Sequence, residues 1–243
     1  MKPGRWVLAG GGVGWMGYGW GAQCALPLVA VRRARPGTGR VALTFDDGPD
    51  PEWTPRLLRL LAARAVRATF FLIGERAARH PEVVRAMVAE GHEVGNHTWH
   101  HRNAWFLGPG ATAVEILGGA RILAEITETR PTLYRPPWGI VNVPALWTAR
   151  RAGLTTVLWS VQPEGLRARS PGEQLRHCAR RLHDGAIIDL HDAPGLPGAP
   201  ERLLRLLPDL LDLVAERAYT PVPVRALLAA DAGRANGEIS PTG

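Results

Sequence analysis

Cysteine is nearly absent from this chain. The 243 residues hold two, Cys24 in an apolar stretch and Cys178 alone in the globular part. Two are too few for a disulfide framework or for Cys-rich zinc ligation. That permits an extracytoplasmic location without arguing for one, and Cys178 reads as a small apolar filler. Lysine is scarcer still: Lys2 is the only one, so almost all of the 29 basic side chains are arginine. The arginines are scattered over helix faces rather than gathered in a block. Against 22 acids they leave a formal net charge of +7 and a pI near 10.5. Such a surface favours an anionic wall or membrane partner, although a solvated surface with a compositional bias also accounts for it. No nucleic-acid-binding module is present. No internal repeat is found, and no Glu follows His97, which excludes the H-E-x-x-H arrangement of metalloproteases.

At this length and 46% hydrophobic residues, the chain can bury one full-sized core. Trp6 to Val31 is a run of 26 residues without a charged side chain, where about 20 apolar residues suffice to cross a bilayer. Seven are glycine and Pro27 comes late, so the run makes a poor spanning helix. Lys2 and Arg5 precede it and Arg32, Arg33 and Arg35 follow, so the flanking charges do not set an orientation. There is no A-x-A cleavage site. The preferred reading is an uncleaved anchor or signal-like segment, with a cleaved signal or a soluble glycine-rich arm as alternatives. Residues 1–35 are therefore read as anchor and basic linker, 36–231 as the catalytic domain and 232–243 as a frayed tail.

After the linker, strand and helix patterns alternate. Strands are expected over 41–46, 67–73, 92–96, 132–135, 154–161, 185–191 and 219–224. Helices are expected over 54–64, 76–90, 111–129, 143–152, 171–183 and 201–217. Alternation of this kind means parallel βα units. A closed or nearly closed (β/α) barrel of about seven strands, an α/β fold, is the economical solution.

Four stretches carry candidate chemistry. VALTFDDGP (41–49) reads as a buried strand ending in two adjacent carboxylates, costly unless a cation neutralises one of them. The bland alternative is a turn built from Asp, Gly and Pro. EVGNHTWHH (93–101) places His97 and His101 four apart, on one face of a helical turn, where two imidazoles and a carboxylate make a catalytic zinc site with an open position. The bland alternative is a surface or capping pair, and His100 is expected to point away. YRPPWG (134–139) is a rigid loop after a strand, with Arg135 where it could hold a catalytic carboxylate or be a surface side chain. AIIDLHD (186–192) ends a strand at His191, a candidate acid or base or a satisfied structural histidine.

These four motifs, in this order over roughly residues 40–225, resemble the polysaccharide deacetylase family, the NodB-homology domain. The resemblance implies a distorted (β/α) barrel with seven strands, a divalent metal, often zinc, and hydrolysis of N- or O-acetyl groups on polysaccharides. By position it implies Asp46 as general base, Asp47, His97 and His101 as metal ligands, Arg135 as the residue orienting the base, and His191 as general acid.

The chain departs from the family pattern twice. The family's aspartate-rich loop, which tunes the histidine, reads WSVQPEGLR here and has no aspartate. The family's leucine two residues before the histidine, lining the acetyl pocket, is Asp189. Residues two apart on a strand face the same way, so Asp189 is expected beside His191 as its tuning carboxylate, with Glu164 as the competitor. Three readings stay open. One is a metal-dependent deacetylase of an acetylated glycan, with its catalytic domain outside the cytoplasm. The second is a hydrolase of another amide or ester with a small or polar acyl group, such as formyl. The third is a non-catalytic carbohydrate-binding relative.

Overall fold

The computed structural model describes residues 17–164, 169–195 and 198–237. Strand β1 (Arg40–Asp46) is an inner strand of a seven-stranded sheet, with β2 (Thr69–Leu72), β3 (Glu93–Asn96), β4 (Leu133–Tyr134) and β5 (Thr155–Thr156) following on one side and β6 (Ile187–His191) on the other. A short β7 (Thr220–Pro221) pairs with the start of β1. Every ladder is parallel, as crossover helices require. Between β5 and β6 the wall is completed by single bridges rather than a ladder. Val31 donates to Thr156 O and accepts from Leu158 N, and Ala34 donates to Gly185 O. Farther along, Asp189 N reaches Val161 O at 2.9 Å. The distortion of the barrel is this seam. The strand expected over 154–161 breaks there after two residues because an amino-terminal wedge occupies its partner's place.

Alternation along β1 divides the core. Val41, Leu43 and Phe45 point outward against Phe70, Leu72 and Leu190 and the surrounding helices. These include α2 (Trp53–Ala63), α3 (Gly74–Arg79), α4 (Pro81–Ala89), α5 (Pro109–Thr127), α7 (Pro171–Arg181) and α8 (Ala199–Glu216). Helix α8 buries Leu203, Leu206, Leu207, Leu210 and Val214. At roughly 1.5–3 kcal/mol each, this outweighs the cost of about 3 kcal/mol for an internal proline, here Pro208. The helix expected over 76–90 is two helices. It breaks at His80, whose φ of −132° and ψ of 55° answer to the proline that follows.

Ala42, Phe71, Leu133, Val157 and Ile187 point inward and are covered by Ala34, Val224 and Leu227. The last two belong to α9 (Val224–Gly237), a helix that corrects the expectation of a strand to 224. Its weak amphipathic pattern hid it, and packing of its first turn under the barrel holds it there. The barrel interior is thus apolar at the amino ends of the strands and polar at the carboxyl ends, where Thr44, Asp46, Asp189 and His191 follow on the same inward faces.

Residues 18–34, assigned by sequence to anchor and linker, pack on the barrel. One turn at Gly17–Gly21 leads into α1 (Ala22–Val29), whose Ala22 and Leu26 are buried with Tyr134, Val141 and Ala145. Ala145 lies on α6 (Val143–Arg151). Gln23 clamps one loop twice, donating to Gly139 O at 2.8 Å and accepting from Val141 N at 3.1 Å. Among the described residues no helix is long and apolar enough to cross a membrane. The stretch 6–16 lies outside the described residues.

Candidate active site at the carboxyl ends of the strands

Asp46 ends β1 facing inward. Its neighbour should face outward by strand alternation, but Asp47 has φ 74°, a left-handed conformation that costs a non-glycine residue of order 1 kcal/mol or more. That turn brings both carboxylates to one cavity of about 360 Å³, which Arg76, Trp138, Trp159, Gln162, Asp189 and His191 also line. Arg76 ties its rim, donating to Asp47 O at 2.9 Å and to Pro194 O at 3.0 Å.

His97 follows β3 directly. The HTWHH stretch is not the helical turn expected from the spacing: Thr98 and His101 have φ of 69° and 60°. The two histidines meet because the loop folds back on itself. Asn96 Oδ1 accepts from Thr98 N at 3.0 Å while its Nδ2 donates to Ile116 O of α5 at 2.9 Å, and Thr98 Oγ1 accepts from His101 N at 3.1 Å. Helix α5 comes this close only because position 119 is glycine, where a β-carbon would collide with Asn96 Oδ1 and Thr98 O. Sequence reasoning missed Asn96, Thr98 and Gly119, and the Gly118–Gly119 pair inside a helical pattern was the available signal. His100 points away, as expected: its N and Nδ1 both lie 2.7 Å from the Glu115 carboxylate.

The His97 and His101 Nε2 atoms lie 3.5 and 3.1 Å from Asp47 Oδ1. His97 Nδ1 lies 2.8 Å from Arg135 O. It must carry a proton to donate there, which leaves Nε2 as the free lone pair facing the carboxylate. Burial pushes the Asp47 carboxyl up, but the positive charge that His97, His101 and His191 carry when protonated holds it well below the usual carboxylate range, and a bound cation would supply charge at the same place. Burial and the neighbouring His97 push His101 down to about 4. Asp47 Oδ1 is buried without a well-aligned hydrogen bond. A buried, underbonded carboxylate oxygen facing two imidazole lone pairs fits a divalent cation, and these three residues bring their ligand atoms within 4.8 Å of one another.

Arg135 is fully buried. Its Nη1 donates to Thr44 Oγ1 and Asp46 Oδ1 at 2.7 Å and to Asp189 Oδ1 at 3.0 Å. Its guanidinium lies over the Phe71 ring at 4.1 Å. The expected pairing with Asp46 is present, and one guanidinium serves two carboxylates. Gln162 Nε2 donates to the other oxygen of Asp189 at 2.9 Å. Burial and the Asp46 charge push Asp189 up to about 7, against His191 and Arg135.

The carboxylate on the His191 ring is Glu164, not Asp189: Nδ1 lies 2.6 Å from Glu164 Oε2. This corrects the choice made from strand alternation. Asp189 does share the inward face of β6 with His191, but the buried guanidinium beside it takes its hydrogen bonds. Glu164 is itself buried, although the residues after it, 165–168, lie outside the described ones. Burial opposes the charged form of His191, but the Glu164 hydrogen bond, with Asp189 and Asp46 acting through space, pushes it up to about 10. Its Nε2 is left toward the cavity. Asp192 turns away and accepts from Thr54 Oγ1 at 2.5 Å.

The family model for polysaccharide deacetylase matches residues 33–157. A peptidoglycan-N-acetylglucosamine deacetylase of Bacillus cereus is 37% identical over 196 residues, 77% of this chain and 87% of that protein. A chitooligosaccharide deacetylase of Bradyrhizobium sp. is 41% identical over 181 residues, 73% of this chain and 82% of that protein. Among solved structures, peptidoglycan deacetylase PdaC from Bacillus subtilis superposes with a TM-score of 0.72 at 30% identity, over 82% of this chain and 95% of that one. With the parallel barrel, the motif order and the site geometry in agreement, the chain belongs to the polysaccharide deacetylase family.

Proposed function

We propose that this chain is a metal-dependent hydrolase that removes acetyl groups from an N-acetylated glycan of the cell envelope, with zinc as its metal and its barrel outside the cytoplasm, held at the membrane through its amino-terminal region. The observation that carries the reading is the convergence of three units on one cavity: the Asp47, His97 and His101 ligand set, the Asp46–Arg135 pair and the His191–Glu164 pair. A divalent cation held by those ligands would polarise the acyl carbonyl and acidify a water molecule. Asp46, fixed by Arg135, accepts the proton of the attacking water. His191, kept charged by Glu164, delivers a proton to the departing amine. Trp138, half exposed with its ring 4.3 Å from that of His101, offers a sugar face an aromatic wall. The relatives named above act on peptidoglycan and chitooligosaccharides, which supports an N-acetylglucosamine polymer.

A second reading, hydrolysis of a small polar acyl group such as formyl, is favoured by Asp189 and Gln162 in the cavity wall. The metal-loaded protein is expected to release acetate from N-acetylated oligosaccharides faster than formate from N-formyl counterparts. Faster formate release would establish the second reading, and no turnover of either would leave a non-catalytic relative.

Glu164 makes a separable prediction. A negative Glu164 favours the protonated form of His191, and activity requires that form. In Glu164→Gln the alkaline limb of kcat/KM should therefore move to lower pH, by about one unit or more. In Asp189→Asn it should move less, because Asp189 acts on His191 only through space. A larger shift in Asp189→Asn would return the tuning role to Asp189.

A further inference from the structure

The face formed by α1 and α6 has a composition of its own. No Asp or Glu occurs before Asp46, and none occurs between Glu128 and Glu164. Residues 21–29 and 143–156, which line the face, belong to these two segments. Between the helices runs an open groove of about 720 Å³ lined by Ala22, Ala25, Val29, Val143, Leu146 and Trp147. Val29, Val143 and Trp147 are 57%, 52% and 61% exposed, and Leu28, next to Val29 on α1, is 86% exposed. Arg150 lies on the groove's rim, and the Arg151 guanidinium lies 4.9 Å from the Trp147 ring centroid. Arg32 and Arg33, both exposed, follow α1.

A soluble face carries charges of both signs and scattered apolar side chains. Here large apolar side chains line one groove, and the charge on its lining is of one sign. Indole rings and aliphatic side chains suit the headgroup–acyl boundary of a bilayer, and arginines suit anionic headgroups. An anionic wall polymer would meet the arginines and leave the apolar groove uncovered. A second copy of this chain would oppose like charges across a twofold interface.

We propose that this face seats on an anionic lipid surface. Leu28, Val29, Val143 and Trp147 enter the boundary layer, and Arg32, Arg33, Arg150 and Arg151 meet the phosphates. The inference deepens the membrane placement proposed above and rests on it, while standing apart from the hydrolytic chemistry, because none of these side chains lines the catalytic cavity. It names a surface of the folded barrel, where the placement from sequence named an anchor.

The test is sedimentation of the full chain with vesicles of phosphatidylglycerol and phosphatidylcholine, and with phosphatidylcholine alone. Turnover of a soluble acetylated oligosaccharide is measured on the same samples, so that loss of lipid binding is told apart from loss of the enzyme. The expected result is binding to the anionic vesicles. It should be weakened about tenfold or more in Leu28→Ser/Trp147→Ser and by roughly fivefold per arginine in Arg150→Gln/Arg151→Gln, with turnover unchanged. Unweakened binding in both variants would overturn the proposal and place attachment in the residues before α1. Binding lost equally to soluble polyphosphate, with the Leu28/Trp147 variant unaffected, would point to a wall polymer. A concentration-dependent dimer abolished by the Leu28/Trp147 substitutions, without vesicle binding, would point to a second copy of the chain.

Discussion

His97→Ala and His101→Ala should each strip the protein of its divalent ion and abolish turnover. In the proposed metal site each is one of three side chains that, among the described residues, could supply its ligands. Loss of a partner one shell farther out already costs about 10- to 100-fold in affinity, and loss of a ligand should exceed that. The two need not be equal. His97 is buried with its Nδ1 hydrogen committed to Arg135 O, so its Nε2 is already aimed. His101 is partly exposed, stands on a left-handed residue and leans on Trp138, so its loss should leave more residual metal. His100→Ala is the control, because its imidazole is engaged by Glu115. Metal-to-protein ratios after dialysis would decide the matter. Equal metal loss from the His100 and His101 variants would show that the wrong pair was chosen.

Asp46→Asn is expected to keep its metal and lose turnover by about 10²- to 10⁴-fold, the usual contribution of a general base. The amide is nearly isosteric and its oxygen can still accept from Arg135, so the geometry persists while proton-accepting power disappears. Asp47→Asn should do the reverse first, releasing metal before any chemical defect can be measured. The contrast is informative because the two residues are adjacent and differ only in which way the chain turns them. Near-normal turnover in Asp46→Asn, or metal loss equal to that of Asp47→Asn, would sink the assignment of base and ligand.

How legible the site was from sequence depended on the kind of geometry involved. Asp46 and His191 were readable because each ends a strand, and strand periodicity says which side chains face inward. The pairing of Arg135 with Asp46 was readable from the resemblance, since its own motif gives only a strand end. The route by which His97 and His101 converge was misread: a four-residue spacing suggests a helical turn, whereas two left-handed residues and the Asn96 side chain do the folding. Local pattern carries no mark of a positive φ at a histidine.

The sequence alone determined the parallel βα architecture, the inward carboxylates at the strand ends and the family, because hydrophobic period and motif order are local properties of the chain. Only the tertiary structure decided which carboxylate serves which partner. Asp189 lies nearer His191 in sequence and on the same strand face, yet its hydrogen bonds go to Arg135 and Gln162, which leaves the histidine to Glu164 on a neighbouring loop. A buried guanidinium attracts every carboxylate within reach, and that competition is settled by three-dimensional distance. For the amino-terminal run, which the sequence reads as a membrane segment, the structure adds where its second part packs. Its residues 18–34 lie against the barrel because the seam between β5 and β6 leaves backbone groups that something must pair, and Val31 and Ala34 supply the partners.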